Sequence, residues 1–155
     1  MRISAKVDYA VRACAELAVR SPTRASGLTK GDQLGDVQDI PTRYLENILA
    51  ELRRSGIVQS QRGSDGGYWL AKPADQVSVA DIIRAVEGPL ADVRGEPPEN
   101  LEYQGAATAL ERVWMATRAS VRVVLETTTL ADISTGVLAP EVEALLDDPG
   151  AQTRR

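Results

Sequence analysis

The chain has 155 residues, 43% of them hydrophobic and 26% charged, and a formal net charge of −4 at neutral pH. That length fits one domain with an appended oligomerisation element and leaves no room for a second full domain. Histidine is absent and Cys14 is the only cysteine, which excludes the usual zinc clusters, Cys-His nucleophile pairs, the Ser-His-Asp triad and an internal disulfide.

With no phenylalanine and few aromatics, the core has to be built from Leu, Ile, Val and Ala. Asp8, Arg12 and Glu16 run through the apolar pattern of the first twenty residues. The expectation is a cytoplasmic protein with no signal peptide and no membrane anchor. Charge divides unevenly along the chain. Residues 1–78 hold 11 Lys+Arg against 9 Asp+Glu, a net of +2, and residues 79–155 hold 7 against 13, a net of −6. The two parts are therefore expected to face different partners.

In chain order, Val7, Ala10, Val11, Cys14, Leu17 and Ala18 fall on one face of a helix over 5–20, with Ser4 placed to cap it. Pro22 and Gly27 break it. Leu28, Leu34, Val37 and Ile40 are core candidates for a short second helix, weakened by Gly31 and Gly35 at about 1 kcal/mol each. Asp39 and Pro41 are helix-start residues. Leu45, Ile48, Leu49 and Leu52 then fill one face of a third helix that Gly56 ends. Its other side presents Arg43, Asn47, Ala50 and Arg54 in one stripe. Two short β-prone runs flank "GSDGG", the pattern of a hairpin with a glycine-rich connection.

Ser78 and Asp81 form a capping box for a short fourth helix that stops at Gly88-Pro89. The segment 88–105, with three Gly, three Pro and a net charge of −3, is expected to be a long mobile loop. From Ala106 to about Thr127 a helical pattern runs without Gly or Pro. Its positions Leu110, Trp114, Thr117, Val121, Val124 and Thr128 alternate four and three apart, a seam suited to packing on a second copy of the helix. Thr129 and Asp132 cap a further turn or two. A tail from Pro140 has a weak apolar face, Val142, Leu145 and Leu146, and its last residues are expected to be disordered.

Two short helices, a third with a polar stripe and then a hairpin make a winged helix-turn-helix: a mainly α fold with a small β wing and a long C-terminal dimerisation helix. The third helix would enter the major groove of double-stranded DNA, where Arg and Asn make bidentate contacts to guanine and adenine. The candidate DNA-binding residues are Thr42, Arg43, Tyr44, Asn47 and Arg54 on that helix and Arg62, Gly66 and Gly67 on the wing. The wing glycines would let the turn approach the DNA backbone and offer amide donors. No Gly-Lys-Ser/Thr follows them, so a P-loop is excluded. Glu46 is awkward beside phosphate and would pair with Arg43 or Arg53; Asp65 adds a negative charge near Arg62. Cys14 on an apolar face is first a small hydrophobe and second a redox candidate. Tyr9 and Trp114 are candidates to line an effector cavity.

The run "YLENILAELRRSGIVQSQRGSDGGYWLAKPADQVSVADIIRAVEG", with "AKVDYAVRACAELA" before it and Leu110 to Ile133 after it, resembles the Rrf2-type transcriptional regulators over most of residues 1–135. The resemblance implies a homodimeric regulator, read here as a repressor, that binds a partly palindromic operator. It divides the chain into a DNA-binding domain at 1–88, a loop at 89–105, a dimerisation region at 106–135 and a tail at 136–155. Many members of that family hold an iron-sulfur cluster with three cysteines in the loop before the long helix, and this loop has none. Further ligand positions of the family align with Glu111, Asp8 and Arg12. The chain thus resembles the cluster-free branch, with no metal, no cofactor and a small-molecule effector as an open possibility. Asp65 stands where the family commonly has proline or glycine. The rival to operator binding is a winged-helix module that docks a protein partner through its acidic half; an enzyme ranks last.

Overall fold

The computed structural model describes residues 2–152. Helix α1, Ala5–Arg20, is capped by Ser4, whose hydroxyl oxygen accepts the Val7 N–H at 3.1 Å. It buries Val7, Ala10, Ala13, Cys14 and Leu17. Helix α2, Gly31–Gln38, forms in spite of its two glycines, and one of them is needed: a Cβ on Gly35 would lie 2.9 Å from the Ile40 carbonyl oxygen. Asp39 does not start the next helix. It closes α2 in the left-handed region at φ 50°, and Ile40 N–H returns to the Gly35 carbonyl at 2.9 Å. That turn carries Ile40 into the core and leaves Val37, expected inside, 49% exposed.

Helix α3, Thr42–Arg54, follows Pro41 directly and packs Leu45, Ile48, Leu49 and Leu52 inward. Strands β1, Val58–Gln61, and β2, Gly67–Leu70, pair antiparallel, with Val58 opposite Leu70 and Gln61 opposite Gly67. A third segment joins them: Thr29 and Tyr68 exchange N–H···O bonds of 3.1 and 2.8 Å, and the Leu70 N–H donates to the Ser21 carbonyl at 3.1 Å. Ser21 and Thr29, both buried, satisfy each other through their hydroxyls at 2.7 Å.

Helix α4, Val79–Glu87, has the expected Ser78–Asp81 capping box. Segment 88–109 is more than a tether. It contains a Val93–Glu96 bridge and two 3-10 turns, and it buries Leu90, Pro98 and Leu101. Helix α5, Leu110–Thr127, begins four residues later than expected, because Gly105–Ala107 takes a 3-10 turn and the Thr108 hydroxyl donates to the Gly105 carbonyl at 2.7 Å. Helix α6, Leu130–Thr135, is capped by Thr129 and Asp132, and α7, Pro140–Leu146, rests on α5 through Val142 while Leu145 and Leu146 stay half exposed. The end of the expected disordered tail, 153–155, lies outside the described residues.

Two packing results depart from the reading by periodicity. Leu130 of α6 is fully buried in the same core as α1, α3 and α4; its N–H donates to the Val77 carbonyl and the Val79 N–H to the Thr128 carbonyl, both at 2.9 Å. A boundary at 88 therefore separates chain segments but not cores. The expected seam of α5 also faces its own chain in large part: Leu110, Trp114, Val121 and Val124 are half-buried and Thr128 is buried. The outward stripe is Val113, Ala116, Ser120 and Val123, again alternating three and four apart, and all four are exposed. Among the described residues, no helix is long and apolar enough to cross a membrane.

Candidate nucleic-acid interface

The left-handed turn at Asp39 and the close contact at Gly35 fix how α3 emerges from α2, and the buried row Leu45, Ile48, Leu49 and Leu52 fixes its rotation. Thr42, Arg43, Tyr44, Asn47 and Arg54 are consequently all exposed. Residues 43, 47 and 54 lie within a narrow arc of the helix surface, and at 1.5 Å per residue Arg43 and Arg54 are about 16 Å apart along the axis. The first two can address one patch of base edges in a groove about 12 Å wide, whereas Arg54 reaches a flanking strand.

Charge pairing separates this face from the rest of the molecule. Lys6, Arg12, Arg20, Arg84, Arg118 and Arg122 are each held by a carboxylate. Among the described residues, Arg43, Arg54 and Arg62 have neither an ion pair nor a side-chain hydrogen bond to the protein. Cations left unneutralised on one face are available to phosphate. Glu51, the carboxylate nearest the stripe, is neutralised by Lys6 at 2.7 Å, and Lys6 also donates to the Val86 carbonyl at 2.6 Å. Glu46 pairs with neither Arg43 nor Arg53. Arg53 turns to the Ser60 hydroxyl at 3.3 Å, and Glu46 remains an exposed carboxylate on this face. Asp65, likewise, makes no ion pair with Arg62.

The wing glycines have an internal explanation. Gly66 and Gly67 are buried. A Cβ on Gly66 would lie 2.2 Å from the Gln61 carbonyl oxygen, one on Gly67 2.8 Å from that of Thr29, and the Gly66 N–H already donates to Gly63 at 3.0 Å. Their smallness serves the chain's own turn and third segment, and the outward group of the wing is Arg62. Periodicity also did not reveal Arg24. It lies 5.8 Å over the Trp69 ring and donates to the Gln61 side chain at 2.8 Å, gripping both wing strands.

Tyr9 and Trp114 do not meet. Tyr9 packs edge-on against Tyr44 of α3, ring centroids 5.7 Å apart at 84°, with Arg12 over its other side at 5.6 Å. The Trp114 indole N–H donates to the Tyr103 hydroxyl at 3.1 Å. Arg12 also bonds Gln38, whose amide donates to Glu16 at 2.9 Å; Glu16 is held below the ordinary carboxylate range first by Arg20. This polar chain ties α1 to α2. Cys14 has no exposed surface, and burial pushes its thiol up to about 12, so the thiolate needed for redox or metal chemistry is disfavoured. Asp8 is engaged by Arg12 at 3.1 Å. Among the described residues no three His, Cys, Asp or Glu side chains are grouped to hold a metal ion.

The Rrf2 family profile, described as an iron-dependent transcriptional regulator, matches residues 3–136. A Mycobacterium tuberculosis protein named as an HTH-type transcriptional regulator is 50% identical over 153 residues, 98% of this chain and 92% of its own. The HTH-type transcriptional regulator CymR of Bacillus subtilis is 34% identical over 134 residues, covering 86% of this chain and 90% of its own. Its structure, titled as that of the global cysteine regulator of B. subtilis, superposes with a TM-score of 0.73 at 32% identity, over 88% of this chain and 98% of that one. The structure of IscR from T. potens gives 0.68 at 30% identity, over 100% and 93%. The donor set described above does not fit the iron centre that the family description implies: one buried thiol, no histidine, and an Asp8 already paired with Arg12.

Proposed function

The chain belongs to the Rrf2 family of transcriptional regulators, and on that premise we propose that it is a homodimeric repressor binding a partly palindromic operator in double-stranded DNA without an iron-sulfur cluster. Its relatives are named as regulators and not as enzymes. The observation that carries the proposal is the set of unpaired cations Arg43, Arg54 and Arg62 arrayed around Asn47 on the outer side of α3 and the wing tip. Arg43 and Asn47 are assigned to base edges, Thr42 and Tyr44 to the groove wall, and Arg54 and Arg62 to phosphates. The dimer is assigned to α5 through Val113, Ala116, Ser120 and Val123, so that two α3 helices address half-sites about one turn, ~34 Å, apart. Action on chromosomal DNA places the protein in the cytoplasm. A small-molecule effector completes the scheme, since Cys14 is shielded and no cluster ligands are present.

Fluorescence anisotropy on DNA from the protein's own promoter region tests this. Asn47→Ala and Arg43→Ala should relax preference at particular base pairs, at about 1–3 kcal/mol per lost bidentate contact, more than they weaken binding to every duplex. An equal loss on all operator variants would remove these two side chains from base reading. A wild-type protein that binds no duplex would instead favour a winged-helix module docking a protein partner through its acidic half, the reading that Glu46 and Asp65 favour.

A further inference from the structure

Residues 79–155 carry a net charge of −6, yet three of their basic residues, Arg84, Arg118 and Arg122, line one open cavity of about 500 Å³ between α4, the segment after it and α5. Two carboxylates, Asp92 and Glu99, share the lining, which leaves one positive charge in excess. Leu90 and its neighbouring prolines supply an apolar wall. The guanidiniums are already arranged around carboxylates. Glu126 accepts from Arg84 of α4 and stands 3.6 Å from Arg122 of α5, while Glu99 pairs with Arg118 at 2.7 Å. Glu126 and Glu99 are 44% and 50% exposed, so both can swing to water at small cost, whereas Arg118, at 13%, is held in place. Planar guanidinium forks in a concave, partly desolvated setting bind oxyanions bidentately.

We propose that this cavity is a binding site for a small free oxyanion, a carboxylate, phosphate or sulfate borne by a compact metabolite, which replaces Glu126 and Glu99 as partner of the three arginines and bridges α4 to α5. The site lies away from the α3 stripe and does not depend on the DNA reading, because its test contains no DNA. Inorganic phosphate is titrated into the intact protein by calorimetry, with ionic strength held constant by chloride. The expected result is one saturable site per chain with a Kd of the order of 1 mM. Arg122→Gln, at a side chain 46% exposed and thus safe for folding, should weaken it about tenfold. Glu99→Gln, which removes the competing carboxylate, should strengthen it several-fold, and Arg62→Ala should leave it unchanged. No saturable heat up to about 20 mM phosphate, some twenty times that Kd, overturns the proposal. So does binding that is lost in Arg62→Ala and retained in Arg122→Gln, which would put the anion on the DNA-facing side.

Discussion

Replacing Gly67 by alanine separates two uses of a wing glycine, internal packing and close approach to DNA. The added Cβ would sit 2.8 Å from the Thr29 carbonyl oxygen and 3.1 Å from Leu28 Cβ. Ordinary contact at 3.4 Å requires Thr29 to retreat by about 0.6 Å, which draws the two Thr29–Tyr68 hydrogen bonds, now 3.1 and 2.8 Å, to the edge of hydrogen-bond range or beyond it. Two such bonds contribute about 1 kcal/mol each. Alanine lowers the entropy of the unfolded chain by the equivalent of ~0.4–1 kcal/mol, so the net loss is about 1–2 kcal/mol. For a chain of this size that is a fall in Tm of about 2–8 °C, read by far-UV circular dichroism. Operator affinity is measured in parallel, well below the transition, and should change by no more than a few-fold, since Arg62 rather than Gly67 faces outward. An unchanged Tm combined with a loss of affinity of tenfold or more would refute the packing argument and restore the glycine to the DNA contact.

Other outcomes follow from single residues. Arg62→Ala should reduce the slope of log K against log salt by about 0.9, the counterion contribution of one phosphate contact; an unchanged slope removes Arg62 from the phosphate contacts. Val123→Asp, on the outward stripe of α5, should convert the dimer to monomer in sedimentation velocity while leaving the circular dichroism spectrum intact, and a dimer that persists would place the interface elsewhere. Cys14 should resist a thiol reagent at pH 8 until the protein is unfolded in urea. Because the folded thiol is raised to about 12 from an ordinary 9.0, the unfolded chain ionises first, so its share of stability falls as pH rises above 9 and Cys14→Ala should flatten that alkaline limb. Thr129→Ala should cost about 1 kcal/mol as a lost helix cap. The Thr129 backbone N–H first, and then its hydroxyl, hold Asp132 below its ordinary value of 3.8. The stability this supplies is present above that value and is lost as pH falls through the folded one, and the variant should show a shallower acid limb.

What periodicity and capping chemistry make visible is local. Ser4, the Ser78–Asp81 box and the Thr129–Asp132 box each act over three residues, and the helix starts they predict are the ones found. The polar stripe of α3 is legible for the same reason, since it is the complement of the buried row Leu45, Ile48, Leu49 and Leu52. The grip of Arg24 on Trp69 and Gln61, the Thr29–Tyr68 bridge and the reason for Gly67 connect residues some 40 positions apart, and no local spacing encodes them. Helix α5 shows a related limit. Two adjacent stripes, 110-114-121-124 and 113-116-120-123, both fit a three-and-four pattern, and only the packing of α4 and α7 decides which of them is taken by the chain itself.

The burial of Leu130 beside α1 sets an order on the making of the protein. The residues that would touch DNA have all been synthesised by Arg62, but the core behind them is incomplete until α6 arrives nearly seventy residues later. Domains fold as units during synthesis at about 5–20 residues per second, so a DNA-reading face without its full core is exposed for several seconds on each ribosome. By the time that core can close, α5 has already been made, and a chain that can hold DNA firmly is by then one that also carries its pairing helix.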